Sequence, residues 1–268
     1  MKTTWTLAGL PLAIWSMQAL AQTPIDCTIF ADAASGKRLL REGRCDRRVT
    51  PASTFKIAIS LMGYDNGFLR DAHTPLLPFR EGYVGWNPAW RAATDPSTWI
   101  SRSVVWYSQQ VVGQLGTSAF QHYVQRFKYG NEDVSGKTAQ AMALDMPWIN
   151  SSLAISPDEQ IDFLGRLANR QLGLRPDAYV MTSALLRIDS AADGWQVFGK
   201  TGSGSPVLAD GKSDRAHAYG WFVGWASKGG RTILFARLVQ DQQEIAGGAG
   251  LRVRDSFLPS LPARLAAF

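Results

Sequence analysis

The sequence predicts an α+β fold in which an antiparallel sheet, formed by N- and C-terminal strands and flanked by helices, packs beside an all-helical lobe. Strand-like segments occur near the N-terminus and again from residue 195 onward, whereas the residues between them have mainly helical patterns. Such segregation of strands and helices is typical of α+β domains. Of the 268 residues, 46% are hydrophobic and 19% are charged, so the chain can bury a large core.

The first 21 residues are predicted to be a secretory signal that is removed. Lys2 supplies a positive charge, residues 7–14 are mostly apolar, and Ala-Leu-Ala at 19–21 matches an A-x-A cleavage site. The apolar run is too short to span a membrane. We therefore expect an exported, periplasmic protein without a membrane segment, folded as one domain over residues 22–268, because no linker or repeat interrupts them.

Two strands are expected in the first part of the mature chain. Residues 27–31 and 38–41 favour strands joined by a Ser-Gly-Lys turn at 35–37. The two cysteines of the chain, Cys27 and Cys45, lie in this region. In an oxidising compartment an even pair favours a disulfide, and two free buried thiols are the alternative. A disulfide would close a loop of about 18 residues and stabilise the fold by roughly 3 kcal/mol.

A buried helix is predicted to begin near Ser53. Residues 55–62 are apolar apart from Lys56 and one serine, and a helix without a polar face lies inside a protein. Ser53 and Lys56 are three residues apart, so a helix places them on the same face. A serine becomes a nucleophile when a base takes its proton, and a buried lysine can be uncharged. An S-x-x-K pair also fits an ordinary helix start, so further motifs are needed.

The remaining elements follow from periodicity and from turn residues. Residues 71–96 are predicted to be a packed loop and residues 131–136 a turn. Helices are expected over residues 100–115, 118–127 and 177–188, and from about residue 251. Another helix should start at Ser156, where Pro157 at the first helical position and Glu159 complete a capping box. Strands are expected over residues 195–198, leading into a Lys-Thr-Gly motif that ends the strand, and over residues 218–225 and 233–239.

Charge and composition argue against several classes of function. The chain has 28 lysines and arginines against 22 acidic residues, a net charge of +6, but the basic residues are scattered. A nucleic-acid-binding surface would have them clustered, so no nucleic-acid partner is expected. A mild positive field favours an anionic small substrate. His73, His122 and His217 lack the spacing of metal ligands, so no metal site is predicted.

Two other enzyme motifs fail on context. Residues 194–201 match the phosphate-loop pattern G-x-x-x-x-G-K-T, but that loop must precede a helix. Here strand-forming residues lie within the pattern, and Gly-Ser-Gly-Ser-Pro follows it. An α/β-type Ser-His-Asp hydrolase would have a G-x-S-x-G elbow, and the sequence has none.

Four further motifs follow the S-x-x-K pair. They are Ser103-Val104-Val105, Tyr129-Gly130-Asn131, the stretch from Trp148 to Ser156, and Lys200-Thr201-Gly202. Each is common by chance, but together and in this order they resemble the class D serine β-lactamases, the oxacillinases, over nearly the whole mature chain. The resemblance implies a serine β-lactamase or penicillin-binding transpeptidase-like fold. The implied activity is hydrolysis of β-lactam antibiotics, small-molecule substrates, which confers resistance to them.

The resemblance also implies catalytic roles. Ser53 would attack the β-lactam carbonyl and form an acyl-enzyme. Lys56 would be carboxylated on its side-chain nitrogen and act as general base, so the only group consumed is carbon dioxide and no other cofactor is implied. Ser103 would relay the proton to the leaving ring nitrogen, with Lys200 holding charge nearby. Residues expected to line the carbamate pocket are Phe55, Val105 and Trp148.

Substrate binding is implied for a second group of residues. Thr201, Gly202 and Ser203 would border the substrate, and Arg252 would hold its carboxylate, with Arg254 as the competing choice. The backbone N–H groups of Ser53 and Ser203 are expected to form the oxyanion hole.

The sequence departs from the family pattern at one border of the pocket and leaves alternatives open. Ser203 stands where many relatives carry a bulky aromatic residue. The segment before the next strand, residues 203–216, is long and rich in glycine and serine. The substrate spectrum and the oligomeric state are therefore open. Tyr129 and Asn131 are either structural or catalytic. A penicillin-binding sensor domain and a D,D-peptidase remain as alternative functions, separated from a lactamase by whether the acyl-enzyme turns over.

Overall fold

The computed structural model describes residues 24–136, 146–149, 151–188 and 193–268. The predicted secretory signal at residues 1–21 lies outside the described residues. In those described ranges no helix is both long enough and apolar enough to cross a membrane.

An antiparallel sheet forms the centre of the fold. Within the described residues it has six strands in the spatial order β2-β1-β6-β5-β4-β3. The strands are β1 (Asp26–Asp32), β2 (Arg38–Gly43), β3 (Arg187–Ile188), β4 (Gln196–Gly204), β5 (Tyr219–Lys228) and β6 (Arg231–Gln240). β1 pairs with β6, with Ile29 opposite Ala236, which confirms the prediction that both ends of the chain build the sheet.

Helices cover both faces of this sheet. They are α1 (Lys56–Asn66), α2 (Pro96–Arg102), α3 (Val105–Leu115), α4 (Thr117–Arg126), α5 (Pro157–Ala168), α6 (Pro176–Leu186), α7 (Ala249–Phe257) and α8 (Leu261–Ala266). Side chains alternate along a strand, so Ile29 joins the core shared with α1–α6, whereas Phe30 packs on Phe257 of α7 on the opposite face. The site described below lies where the helical lobe meets β4.

α1 is the buried helix that the sequence predicted. All its residues from Lys56 to Tyr64 are buried, including the lysine and Ser60. It ends at Gly67, whose φ of +84° provides the left-handed conformation that glycine favours. The helix has no polar face because the lobe encloses it on all sides, as the sequence predicted.

The predicted cap of α5 and the predicted disulfide are both confirmed. Ser156 Oγ accepts a hydrogen bond from the N–H of Glu159 at 3.2 Å, and the Glu159 carboxylate accepts one from the N–H of Ser156 at 2.9 Å. Cys27 and Cys45 form a disulfide that ties β1 to the segment after β2. The cap is local in sequence, whereas the disulfide joins residues 18 apart and was predicted from the even number of cysteines in an exported chain.

Three predicted boundaries were wrong. The helix over residues 177–188 ends at Leu186, because the next two residues pair with β4 as β3. The Lys-Thr-Gly motif lies inside β4, which continues to Gly204, because β5 pairs with it along that whole length. The helix over residues 100–115 is two helices, and the break between them belongs to the site.

Candidate active site

Ser53 and Lys56 meet at the entrance of α1. Ala52–Phe55 form a 3₁₀ turn and α1 begins at Lys56, so Ser53 lies in the turn before the α-helix. Lys56 Nζ donates a hydrogen bond to Ser53 Oγ at 3.1 Å. Residues three apart eclipse one another in a 3₁₀ turn, so the spacing still brings the hydroxyl and the amine together.

The Lys56 amine is fully buried. Burial, and to a lesser degree the charge of Lys200, hold the pKa of this amine well below its usual range. An uncharged amine can accept the proton of Ser53, and it is also the form that reacts with carbon dioxide. The three residues predicted to line its pocket are buried as well: Phe55, Val105 and Trp148.

Trp148 packs against the turn that carries Ser53. Its ring stacks on Phe55 with the centroids 5.7 Å apart, and its carbonyl accepts a hydrogen bond from the N–H of Ala52 at 2.9 Å. Its indole N–H is buried and has no hydrogen-bond partner among the described residues. Leaving a buried donor without a partner costs about 1–3 kcal/mol.

Ser103 lies at the break between α2 and α3. It has a φ of +57°, and α3 begins two residues later. The N–H of Val104 donates to the carbonyl of Trp99 at 3.0 Å, as in a Schellman-type helix ending. The sequence predicts one helix over residues 100–115 because no glycine or proline marks the break, although residues 101–103 are polar.

The break brings Ser103 against Lys200 of β4. Lys200 Nζ donates hydrogen bonds to Ser103 Oγ at 3.1 Å and to the carbonyl of Thr201 at 3.2 Å. Burial, and secondarily the charge of Arg254, lower the pKa of Lys200 to about 7. Lys200 can therefore gain or lose its proton near neutral pH, as a group that handles protons during catalysis must.

Gly202 allows β4 to approach the turn that carries Ser53. A Cβ atom at this position would lie 2.8 Å from the carbonyl oxygen of Pro51 and 3.1 Å from the N–H nitrogen of Thr54. Any larger residue would push the strand away from the turn. Thr201, the next residue towards Lys200, is partly exposed.

Ser203 ties β4 to the first turn of α7. Its Oγ accepts a hydrogen bond from the N–H of Gly250 at 2.8 Å, so a strand residue supplies the side-chain cap of this helix. A Cβ atom on Gly250 would lie 2.4 Å from the carbonyl oxygen of Gly202, so the helix rests directly on the strand. The sequence did not reveal this cap, because its two partners are 47 residues apart.

The two arginines predicted as alternative carboxylate anchors have different partners. The Arg252 guanidinium forms an ion pair with Asp241 and donates to the carbonyls of Ala246 and Gly247 at 3.0 and 2.9 Å. Arg254 pairs with the exposed carboxylate of Asp255, and its positive charge is the one that acts on Lys200. Arg252 is thus held by the loop before α7, and Arg254 is coupled electrostatically to the site.

Gln160 is a site residue that sequence reasoning missed. It is buried on α5, and its amide donates to Thr54 Oγ1 at 3.0 Å and to Tyr129 Oη at 3.3 Å. The sequence offered one signal for this role. Gln160 lies four residues before Leu164 and seven before Leu167, so it falls on the apolar, core-facing side of the helix although it is polar. Asn131, by contrast, joins its turn to a distant segment: its Oδ1 accepts from the N–H of Ala154 at 2.9 Å and its Nδ2 donates to the carbonyl of Ser152 at 2.8 Å.

Comparisons with known proteins agree with this geometry. Residues 18–261 match the family model of the penicillin binding protein transpeptidase domain. The chain is 42% identical over 244 residues to β-lactamase OXA-9 of Klebsiella pneumoniae, covering 89% of this chain and 87% of that protein. It is 32% identical to β-lactamase OXA-1 of Escherichia coli, over 78% and 74% of the two chains. The crystal structure of the OXA-427 class D β-lactamase superposes with a TM-score of 0.84 at 45% identity, over 90% of this chain and 99% of that one.

Proposed function

The chain belongs to the class D serine β-lactamases, within the family of penicillin-binding-protein transpeptidase domains, and on that premise we propose that it hydrolyses β-lactam antibiotics through an acyl-enzyme on Ser53. The observation that carries the proposal is the hydrogen bond of 3.1 Å between Lys56 Nζ and Ser53 Oγ, with the lysine fully buried. A hydroxyl and an uncharged base in contact are the two parts that nucleophilic catalysis requires.

Acylation forms one bond and breaks another. Ser53 Oγ attacks the β-lactam carbonyl carbon as its proton leaves towards Lys56, and the N–H groups of Ser53 and Ser203 receive the negative charge on the carbonyl oxygen. The carbon–nitrogen bond of the ring then breaks. Ser103 Oγ passes a proton to the departing nitrogen, and Lys200, 3.1 Å from that hydroxyl, replaces it.

Deacylation completes the reaction with one water molecule. The water adds to the ester carbonyl, its proton is taken by a base beside Ser53, and the serine hydroxyl is restored. Lys56 supplies that general base as a carbamate, which forms from its uncharged amine and carbon dioxide before acylation begins. The proton that it took from Ser53 then returns to Lys200, which restores the starting state. The buried uncharged amine and the unpartnered N–H of Trp148 support this modification, since the first is the reactive form and the second is a ready donor.

The substrate is a small anionic molecule, and the residues around Ser53 suit its carboxylate. Lys200 and Thr201 of β4 would face the carboxylate, with Gly202 and Ser203 bordering the ring. Arg252 on α7 is proposed as the anchor, and an arginine can bind a carboxylate through two parallel hydrogen bonds. Such an enzyme protects a cell when it meets the antibiotic outside the cytoplasm, which agrees with the predicted export to the periplasm of a single domain over residues 22–268.

The decisive experiment compares Ser53→Ala with the wild-type protein. The variant should lose turnover of penicillins and any covalent adduct detectable by mass spectrometry, while circular dichroism shows it folded. Ser101→Ala is the matched control, because Ser101 is an exposed serine of α2 whose hydroxyl bonds only to the carbonyl of Thr98 among the described contacts. Repeated fast turnover by the wild type supports a lactamase. A stable adduct without turnover would instead support a sensor domain or a D,D-peptidase.

A further inference from the structure

Gln160 is a buried polar side chain beneath the turn that carries Ser53. It lies in the first half of α5 with 1% of its surface exposed. Its Nε2 donates hydrogen bonds to Thr54 Oγ1 at 3.0 Å and to Tyr129 Oη at 3.3 Å. Burying an amide is unfavourable unless it is hydrogen-bonded, and these two contacts satisfy its NH₂ group, whereas Oε1 has no hydrogen-bond partner among the described residues.

Both partners of this amide contact the turn. Thr54 follows Ser53 directly, and its hydroxyl donates to the carbonyl of Pro51 at 2.7 Å, which closes the turn on itself. The Tyr129 ring packs edge-on against Phe55, with the centroids 4.9 Å apart. One side chain of α5 therefore holds the two residues that follow Ser53, Thr54 directly and Phe55 through Tyr129.

The turn requires such support because its backbone is strained. Ala52 has a φ of +50°, in the left-handed region that residues with a Cβ atom rarely adopt. Residues in this conformation persist only where their surroundings hold them. The carbonyl of Trp148 holds the N–H of Ala52 at 2.9 Å on one side, and the amide of Gln160 holds Thr54 on the other. Releasing one of these contacts would allow the turn to relax and Ser53 Oγ to move.

We propose that Gln160 is a positioning residue for acylation: its amide, bonded to Thr54 and Tyr129, keeps the strained turn in the geometry that places Ser53 Oγ against Lys56 Nζ. The inference rests on the proposed function in that it takes Ser53 as the nucleophile. It also gives Tyr129 of the Y-G-N motif a role, as a buried hydroxyl that accepts from the amide and supports the turn without touching substrate.

The test measures the acylation step alone. In Gln160→Leu the side chain keeps its approximate size and loses both hydrogen bonds. We expect the single-turnover rate of Ser53 labelling by a fluorescent penicillin to fall roughly 10- to 100-fold, because small misplacements of reacting groups have effects of that order. This measurement reports only how fast the adduct on Ser53 forms, whether or not the adduct is later hydrolysed. A failure of the proposed hydrolysis is therefore distinguishable from a failure of this inference.

A second variant supplies a signature that a purely structural role would not give. Gln160→Glu can donate a hydrogen bond only while its carboxyl is protonated, and burial raises the pKa of a carboxyl. Its labelling rate relative to wild type should therefore recover as the pH is lowered and fall as the pH is raised. Tyr129, the titratable partner of the side chain, has its pKa raised by burial and stays protonated across this range.

Thr182→Val is the matched control. Thr182 and Ser60 form a buried hydroxyl pair at 2.9 Å between α6 and a later turn of α1, so the variant also breaks a buried polar contact of α1. It should lower the melting temperature and leave the labelling rate within about twofold of wild type. The proposal would be overturned if folded Gln160→Leu were labelled at the wild-type rate, or if Thr182→Val lost as much labelling rate as Gln160→Leu. It would also be overturned if the labelling rate of Gln160→Glu relative to wild type did not change with pH.

Discussion

Lys200 Nζ donates a hydrogen bond of 3.1 Å to Ser103 Oγ, joining two motifs that lie 97 residues apart in the chain. The contact connects β4 to the break between α2 and α3, close to where Lys56 meets Ser53. It exists because the chain leaves its helical path at Ser103 and because Lys200 is buried inside a strand. Burial lowers the pKa of both Lys56 and Lys200, and the charge of Lys200 lowers the pKa of Lys56 further.

The first prediction concerns the pH dependence of kcat/KM. Lys200 has a pKa of about 7, so it is charged below that pH and neutral above it. If its charge attracts the substrate carboxylate, kcat/KM should decline as the pH rises through about 7 in the free enzyme. Arg254→Ala removes the positive charge that lowers this pKa, so the decline should move to higher pH. Titration of hydrolysis rates from pH 5.5 to 9.5 measures both effects.

Lys200→Arg is the control for this prediction, because arginine stays charged across the whole range. Its profile should lack the alkaline decline even if its maximum rate is lower. If kcat/KM declines at the same alkaline pH in wild type, Arg254→Ala and Lys200→Arg, the titrating group is not Lys200.

The second prediction is that Trp148→Phe weakens carboxylation of Lys56. Phenylalanine keeps the apolar ring against Phe55 and removes the buried N–H that has no partner among the described residues. A lost hydrogen bond of this kind costs about 1–3 kcal/mol. Carbon-13 NMR with labelled bicarbonate should show a carbamate signal in the wild type and a reduced one in the variant. Kinetically we expect a burst followed by acyl-enzyme accumulation, partly rescued by bicarbonate.

Trp106→Phe is the matched control, because Trp106 is equally buried and its N–H donates to the carbonyl of Trp90 at 2.9 Å, outside the pocket. It should keep the carbamate signal. Lowering the pH should also reduce activity in wild type, since acid converts a carbamate back to a charged lysine. An active wild type without carbamate, indifferent to bicarbonate at every pH, would establish unmodified Lys56 as the base.

The third prediction separates the two arginines of α7. As the proposed anchor, Arg252 binds ground and transition states alike, so Arg252→Ala should raise KM for β-lactams more than it lowers kcat. The same change releases the partly buried Asp241 and the carbonyls before α7, so a lower melting temperature should accompany it. Substrates whose carboxylate is esterified should lose the KM effect and keep the stability effect. If Arg254→Ala raises KM and Arg252→Ala does not, Arg254 is the anchor.

The fourth prediction concerns Cys27 and Cys45. Their bond closes an 18-residue separation and ties β1 to the segment after β2, so replacing both by serine should lower the free energy of unfolding by about 3 kcal/mol. Denaturant unfolding of the double variant measures this loss, with kcat/KM unchanged at temperatures where it is folded. The denatured, unreduced wild type should contain no reactive thiol, and two thiols in that assay would contradict the bond.

Local patterns were sufficient for those parts of the fold that neighbouring residues decide. The apolar residues of α1 predicted a fully buried helix, Ser156, Pro157 and Glu159 predicted the start of α5, and the spacing of Ser53 and Lys56 predicted that their side chains meet. For the cap and for the Ser53–Lys56 pair the interacting groups lie within about one helical turn, so short-range geometry fixes them. The burial of α1 was predicted from its lack of a polar face. The order of five short motifs then indicated the family.

The tertiary structure decided everything that depends on contacts between distant segments. The contact of Lys200 with Ser103, the cap that Ser203 gives α7 and the hydrogen bond from Gln160 to Thr54 each join residues 47 or more positions apart. Burial likewise set the charge of Lys56 and Lys200, because a pKa depends on the dielectric and the charges around a group rather than on its neighbours in sequence. The sequence by itself determined which residues are available for the chemistry, and the fold determined their distances, their strain and their protonation.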